Sequence, residues 1–347
     1  MRPRWTRRAA IALAGMTLAL GIAACGGDDG DGEATGSDPE PQAFDLALDF
    51  YINPDHAGVF AAIEQGFFEE EGLDVRPRVP SDPSAPIKQV AAGRADLAVS
   101  YEPEVLLAGD QGLDVVSVAA IVDAPLTSLV SLPEAGIGSA ADLDGKTIGT
   151  AGIPYQTDYL ETILETAGLS PADVDEVNVG FNLLPALLGG KVDAILGAFR
   201  NIEGVDLELR GLDPRVVPVD ELGVPTYDEL VLVANSSAVE EDPGRIRSFI
   251  SGLAQGTEYA IAHPDQAAEF ILDAGKGLDP AQTRAEINAT LPLLAAERDE
   301  PYGFMDEAQW DAFASWMAEQ DLLANGAPEV REVLTNELLP ASPEATP

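Results

Sequence analysis

The alternation of apolar and polar positions predicts two similar α/β units along the chain. In the first unit, period-two alternation over residues 44–50 predicts a strand, and the apolar face of the helix that follows ends at Gly72. A strand over residues 73–79, a helix near residues 85–92 and a buried strand over residues 95–100 come next. This order is typical of a parallel sheet covered by helices.

The second unit repeats that order. Its strands and helices are predicted at residues 146–150, 156–167, 174–179, 183–188 and 192–198. Both units close on one local pattern: a glycine, a basic residue, a small or apolar residue and an aspartate precede the last strand, at residues 93–99 and 190–196. The repetition favours two βαβαβ units, one in each of two lobes.

Two more strands and a helical C-terminal third complete the predicted fold. The strands lie at residues 216–219 and 230–235; Pro243 begins a helix, and others lie near residues 265–272, 280–291 and 306–320. The chain is expected to leave lobe 1 near residues 122–125 and to return near residues 227–229. The predicted fold class is therefore α/β, with two lobes, a central cleft and two hinge crossings. The predicted divisions are residues 44–123 and 228–325 for lobe 1, 124–227 for lobe 2 and 326–347 for a C-terminal tail.

The N-terminus has the pattern of an export signal. Four arginines within residues 1–8 precede an apolar run over residues 9–24, which is shorter than the roughly 20 residues that span a bilayer. Cys25 follows at the expected cleavage point, as in bacterial lipoprotein signals, where the thiol is acylated. Residues 1–24 are thus predicted to be a lipoprotein signal peptide and residues 25–43 an acidic flexible tether. An ordinary secretory peptide is the alternative, and Sec and twin-arginine export both remain open.

Charge and cysteine content exclude several classes of function. The formal net charge of −41 argues against nucleic acid and against peripheral binding to anionic lipid. Cys25 is the only cysteine, so the fold carries no internal disulfide and depends on a large core. We expect a monomer at the extracytoplasmic face of the cell membrane, attached through lipidated Cys25.

Aromatic, acidic and amide side chains follow the predicted strand ends, where α/β sheets bind ligands, and Tyr227 stands near the predicted return crossing. The candidate ligand-binding residues are Asp49, Phe50, Tyr51, His56, Tyr101, Tyr155, Asn182, Phe199, Asn201, Glu203 and Tyr227. Aromatic rings stack on a flat ligand, and carboxylates and amides accept bonds from its amino groups. Together they predict a neutral or weakly cationic heteroaromatic solute.

Several candidates have a purely structural alternative. Phe50 and Phe199 are equally compatible with core packing, and His56 with a helix start. Arg200 either pairs with an acid or contacts ligand. Glu203 is the strongest polar candidate, because a carboxylate past a strand end at the cleft needs a partner.

No sequence signal supports catalysis. The chain has two histidines, His56 and His263, and lacks a nucleophile elbow, a metal-spaced His/Cys cluster and a P-loop. We therefore predict a binding protein without cofactor or metal.

Several motifs resemble the NMT1/THI5-like family of ABC-transporter solute-binding proteins, over residues 44–325. The matching motifs are residues 48–51 (LDFY) with His56, 62–73 (AIEQGFFEEEGL), 91–96 (AAGRAD), 144–149 (DGKTIG), 179–183 (VGFNL) and 223–230 (GVPTYDEL). The resemblance is strongest to the family's binders of a formylated aminopyrimidine, a thiamine precursor.

The resemblance implies a type II periplasmic-binding-protein fold that closes on its ligand, with an ABC permease and its ATPase as partners. It also implies that the pyrimidine stacks on Phe50, Tyr51 and Phe199, and that Asp49 or Glu203 reads the amino group. Phe50 stands where the family often has Trp, and Arg200 departs from the family pattern, so a riboflavin-like solute or a sulfonate remains an alternative ligand. The family's pyrimidine synthases use a cysteine-rich iron-binding segment; residues 197–201 (GAFRN) occupy that place without cysteine, which disfavours a synthase.

Overall fold

The computed structural model describes residues 40–82, 84–294 and 300–341. These form one compact unit that begins at Glu40. The predicted signal peptide, Cys25 and most of the tether lie outside the described residues, as does the end of the predicted tail. Within the described residues, no helix is long and apolar enough to cross a membrane.

Within the described residues, ten strands form two separate five-stranded sheets. The strands are β1 Gln42–Ala47, β2 Leu73–Arg78, β3 Leu97–Ser100, β4 Val115–Val122, β5 Thr127–Ser131, β6 Thr147–Thr150, β7 Asp175–Asn178, β8 Ala194–Phe199, β9 Arg215–Pro218 and β10 Leu230–Asn235. The first sheet has the order β2-β1-β3-β10-β4 and the second the order β7-β6-β8-β5-β9. In each sheet the βαβαβ strands are parallel, and a strand that follows a crossing adds antiparallel to them.

Thirteen α-helices cover the sheets in the described residues. They are α1 Ala57–Gln65, α2 Phe67–Glu70, α3 Pro86–Ala91, α4 Glu102–Asp110, α5 Tyr155–Thr166, α6 Leu183–Leu188, α7 Glu203–Leu209, α8 Ser236–Glu241, α9 Pro243–Ala262, α10 Pro264–Ala274, α11 Pro280–Leu294, α12 Glu307–Glu319 and α13 Val330–Val333. As predicted, Pro243 is the first residue of its helix, and the Asp242 side chain caps it by accepting from the Arg245 N–H.

The chain passes between the sheets twice. It leaves the first sheet after β4 and enters the second at β5, so residues 123–126 form the outward connection. It returns through residues 219–229, between β9 and β10. The two-lobed α/β fold predicted from the sequence is therefore confirmed. The outward connection overlaps the crossing expected near residues 122–125, and the return connection includes the crossing expected near residues 227–229 but begins already at residue 219.

The structure differs from the sequence prediction in some elements. The strands β4 and β5 and the helix α4 were not predicted, because nearly every residue in them is buried and the segment lacks a clear period. The first strand ends at Ala47 rather than at residue 50. The expected tail, residues 326–347, is packed in part: Val333 and Leu334 are buried, and Leu334 bridges to Ser117 of β4.

The helices α1 and α9 pack closely against each other. Gly256 of α9 faces the backbone of Gly58 in α1, and a Cβ atom at Gly256 would overlap the Gly58 carbonyl oxygen and Ala62. Glycine at both positions lets the two helices approach closely, which buries Phe249 and Leu253 against the sheet.

We expect Gly256→Ala to destabilise the protein by about 1–3 kcal/mol, because overpacking forces the two helices apart. Gly244→Ala is the matched control, since a Cβ atom there meets only the Asp242 side chain at 3.7 Å. Urea denaturation of both variants measures the effect. Equal stability of the two variants would show that α1 and α9 do not depend on this contact.

Candidate ligand-binding site

A cavity of about 180 Å³ lies between the two sheets. Seven of the eleven candidate residues line it: Asp49, Phe50, Tyr51, Tyr101, Tyr155, Phe199 and Glu203. They come from the ends of β1, β3 and β8 and from the starts of α5 and α7. The carboxyl ends of the strands therefore meet at this cavity, as in other α/β folds.

Asp49 is the most tightly held polar group of the cavity wall. Its Oδ1 lies 2.9 Å from Nε2 of His56, and its Oδ2 accepts a 2.8 Å hydrogen bond from the Tyr101 hydroxyl. Burial raises the pKa of Asp49, but the interactions with His56 and Tyr101 lower it by more than burial raises it. The pKa of Asp49 therefore lies below its ordinary value. Asp49 is thus an ionised carboxylate at neutral pH.

His56 lies behind Asp49 and does not line the cavity. Its Nδ1 accepts a 3.3 Å bond from the Asn53 N–H, which leaves Nε2 to donate to Asp49. Asn53 also caps the 3-10 turn Pro54–His56 that leads into α1. His56 thus stands directly before α1, in agreement with the helix-start alternative, and it supports Asp49 without lining the cavity itself.

Glu203 is the first residue of α7 and faces the cavity. Its Oε2 accepts a 2.8 Å hydrogen bond from the backbone N–H of Phe199. Burial raises the pKa of Glu203 to about 7. A carboxylate so poorly solvated gains from any donor that a ligand brings.

A backbone bulge at Gly197 shapes the floor of the cavity. Ser128 of β5 pairs with Ala198 and Leu129 pairs with Leu196, which leaves Gly197 unpaired between them at a φ of 104°. A Cβ atom there would overlap the Gln156 side-chain amide, whose Oε1 accepts from the Ala151 N–H at 2.8 Å. Glycine is thus needed where this strand meets α5.

Aromatic rings from both lobes meet at the mouth of the cavity. Phe181 lies just before α6. Its ring centroid is 4.5 Å from that of Phe50, in an edge-on arrangement, and 4.6 Å from that of Tyr51, in a tilted one. Tyr51 is 53% exposed, so this cluster is at the surface. On the inner side, Tyr101 and Tyr155 approach edge-to-face at 6.2 Å. The rings enclose the cavity from two sides.

Three more candidate residues lie outside the cavity. Asn182 is exposed and donates to the Val179 carbonyl. Asn201 is buried, and its Nδ2 donates to Oδ1 of Asp55 at 2.7 Å and to Thr290 at 2.8 Å. Tyr227 is fully buried and donates to Glu229. Position after a strand end, for Asn182 and Asn201, and position near the return crossing, for Tyr227, therefore did not place these side chains in the cavity wall. Asn201 instead joins the lobes, and Tyr227 packs in an aromatic core with Tyr159 and Phe313.

The sequence prediction missed one wall of the cavity. Gln282, Thr283 and Glu286 of α11 line it, together with Leu278 just before that helix. The helix was predicted, but its distance from any strand end gave no signal that it reaches the cleft. Among the described lining residues there is no Lys, Arg or His, whereas Asp49, Glu203 and Glu286 are acidic.

The arrangement suits the binding of a flat molecule. Among the described residues, no group of three or more His, Cys, Asp and Glu side chains is placed to hold a metal ion. The cavity offers aromatic faces and hydrogen-bond acceptors, which are the means of holding a flat, donor-bearing molecule.

Comparison with known proteins decides the family. The family model described as NMT1/THI5 like matches residues 53–267, which is more than half of the chain. The chain belongs to the NMT1/THI5-like family. A formylaminopyrimidine-binding protein of Halalkalibacterium halodurans is 36% identical to this NMT1/THI5-like protein over 293 residues, covering 83% of this chain and 89% of the relative.

A 4-amino-5-hydroxymethyl-2-methylpyrimidine phosphate synthase of Legionella pneumophila is 24% identical over 306 residues, covering 86% of this chain and 92% of the relative. The alkanesulfonate-binding protein SsuA of Xanthomonas axonopodis has a similar fold, with a TM-score of 0.67 at 17% identity over 86% of this chain and all of that one. These comparisons confirm the predicted family and two-lobed binding-protein fold. The chain is more similar to the binding protein than to the synthase, which agrees with the predicted lack of an enzyme activity.

The buried carboxyls predict how stability depends on pH. Burial raises the pKa values of Glu104, Glu203, Asp228, Glu229 and Glu286 to about 7 each. The unfolded chain loses these protons near pH 4.5 while the folded protein keeps them, so the free energy of unfolding should fall as pH rises from about 5 to 7.

Urea denaturation at pH 5.5 and pH 8 tests this, with a loss of more than about 1 kcal/mol expected at pH 8. Repulsion among surface acids acts in the same direction, so the measurement is repeated in 1 M NaCl, which screens exposed charges but not buried ones. Equal stability at both pH values in high salt would contradict the raised pKa values.

Proposed function

We propose that this protein is the extracytoplasmic solute-binding lipoprotein of an ABC importer, and that it binds an aminopyrimidine thiamine precursor of the formylaminopyrimidine type. The observation that supports this most is the lining of the interlobe cavity, which combines aromatic faces with three acidic side chains and no basic one among the described residues. The 36% identity to a formylaminopyrimidine-binding protein supports the same ligand class.

The chemistry of the cavity favours an aminopyrimidine over other solutes. Phe50, Tyr51 and Phe199 supply faces on which a flat ring stacks, and Glu203 accepts a hydrogen bond from its amino group. An anion such as a sulfonate would instead meet Asp49 and Glu203 with no lining cation to offset their charge. We therefore do not expect this protein to bind a sulfonate, although it shares its fold with a sulfonate-binding protein.

Closure of the two lobes over the ligand explains the contacts that bridge the cleft. Asn201 of lobe 2 holds Asp55 of lobe 1, and Phe181 packs on Phe50 and Tyr51 across the mouth. We assign lobe 1 to residues 44–123 and 228–325 and lobe 2 to residues 124–227. A solute enters when these contacts part and the lobes rotate about the two crossings.

Calorimetric titration with formylaminopyrimidine, 4-amino-5-hydroxymethyl-2-methylpyrimidine, riboflavin and taurine tests the ligand class. We expect the pyrimidines to bind and taurine not to. Glu203→Gln should weaken pyrimidine binding by about 1–3 kcal/mol, because an amide accepts a donor less strongly than a carboxylate. Glu208→Gln, on the exposed face of the same helix, is the matched control and should bind as the native protein does.

Binding of taurine in preference to the pyrimidines would refute the proposed ligand. Native affinity in Glu203→Gln would remove Glu203 from the ligand contacts while leaving the ligand class in place.

The lipid anchor is proposed from the sequence of residues 1–43 alone. Acylated Cys25 would hold the domain at the membrane on a flexible acidic tether, beside the permease and its ATPase, as a monomer. Cys25→Ser should release the protein from the membrane fraction of a bacterial host into the soluble fraction. Continued sedimentation of the variant with membranes would exclude the thiol as the anchor.

A further inference from the structure

The helix α11 brings a second acidic side chain to the cavity from outside the strand ends. Glu286 lines the cavity near the middle of this helix, and α11 packs against α7, whose first residue is Glu203. The two carboxyls thus come from adjoining helices and face one enclosed space. Neither the strand-end rule nor any motif of the chain points to Glu286.

Glu286 is held in place by its own helix. Gln282, one turn earlier, donates from Nε2 to Oε1 of Glu286 at 2.7 Å, and both residues line the cavity. This is the one hydrogen bond that the described residues make to the Glu286 side chain. The other carboxylate oxygen, Oε2, has no hydrogen-bond donor among the described residues. Because a carboxylate oxygen in a cavity wall is destabilised without a donor, a ligand that brings one gains binding energy there.

The charges around Glu286 do not neutralise it. Glu203 and Asp206 of α7 both raise its pKa, after burial. Arg210, which directly follows α7, is bound to Asp206 through Nε at 2.8 Å. On α11 itself, Arg284 lies 4.0 Å from Glu269 of α10.

The neighbouring turn and strand add more acid. Asp55, on the 3-10 turn that packs on α11, is bound by Asn201. Asp49 lines the same cavity and is bound by His56 and Tyr101. Among the described residues Gln282 alone donates to Glu286, so further donors come from solvent or from a ligand in the cavity.

We propose that Glu286, positioned by Gln282, is a second ligand-reading carboxylate, and that Glu203 and Glu286 together restrict the cavity to solutes that carry two separate N–H donors or a positive charge. This inference rests on the proposed function, because it takes the cavity as the solute site. It deepens that function by adding a specificity determinant: a one-donor ring would leave one carboxylate unmet.

Calorimetric titration of the full-length protein with formylaminopyrimidine at pH 7.5 tests the proposal. Glu286→Gln should raise the dissociation constant about 10-fold or more, as loss of a charged hydrogen bond does. Gln282→Met keeps the volume but removes the positioning bond, and should raise it by a smaller factor. Glu258→Gln, exposed on α9, is the control and should leave the dissociation constant unchanged.

Thermal unfolding of the empty proteins separates ligand reading from a structural role. Removing a buried negative charge beside Glu203 should leave the Tm of Glu286→Gln unchanged or raised. A native dissociation constant in Glu286→Gln would overturn the proposal, and so would weaker binding accompanied by a lowered Tm of the empty protein. If the native protein binds no pyrimidine, the proposed function falls and this inference with it; if the native protein binds and Glu286→Gln binds equally well, only this inference falls.

Discussion

One buried carboxylate joins the two connections between the lobes. Glu229, at the end of the return connection, accepts hydrogen bonds at Oε2 from the backbone N–H groups of Leu126 and Thr127, each at 2.7 Å, and at Oε1 from the Thr127 hydroxyl at 2.9 Å. Tyr227 donates to Oε2 at 3.0 Å. Burial raises the pKa of Glu229 to about 7, and these four donors offset part of the cost of its burial. Both connecting segments between the sheets are bound to the Glu229 carboxylate. Glu229 therefore fixes the starts of β5 and β10 relative to each other, and with them the way the two sheets face each other.

The cavity depends on that placement, because its walls come from both sheets and from a helix outside them. Asp49 and Tyr101 follow strands of the first sheet, Phe199 ends β8 of the second sheet, Glu203 begins α7, and Glu286 lies on α11. Each acidic group of the wall is supported differently: Asp49 by two side chains, Glu203 by a backbone N–H, and Glu286 by a glutamine. The differing support explains why the pKa of Asp49 lies below its ordinary value while those of Glu203 and Glu286 rise to about 7. The result is an aromatic site with strong acceptors and no lining cation among the described residues.

Much of this arrangement could be predicted from the sequence, and the part that could not has a physical reason. Period-two alternation and glycine stops located the βαβαβ units, and the strand-end rule found Asp49, Tyr101 and Glu203, because parallel strands place their carboxyl ends at one edge. Tyr227 was nominated by its position near the return crossing, but its ring packs in the core and does not line the cavity. The strand-end rule could not find Glu286, since the packing of α11 against α7 brings together residues far apart in the chain. Nor could it show that Asn201 bonds across the cleft to Asp55.

The most direct test of the account is a crystal structure of the protein with formylaminopyrimidine. The account predicts the pyrimidine ring inside the interlobe cavity, stacked on Phe50 or Phe199, with its amino group within hydrogen-bond distance of the Glu203 carboxylate and a second donor near Glu286. A ring bound elsewhere, or one held in the cavity with no donor facing either glutamate, would contradict it.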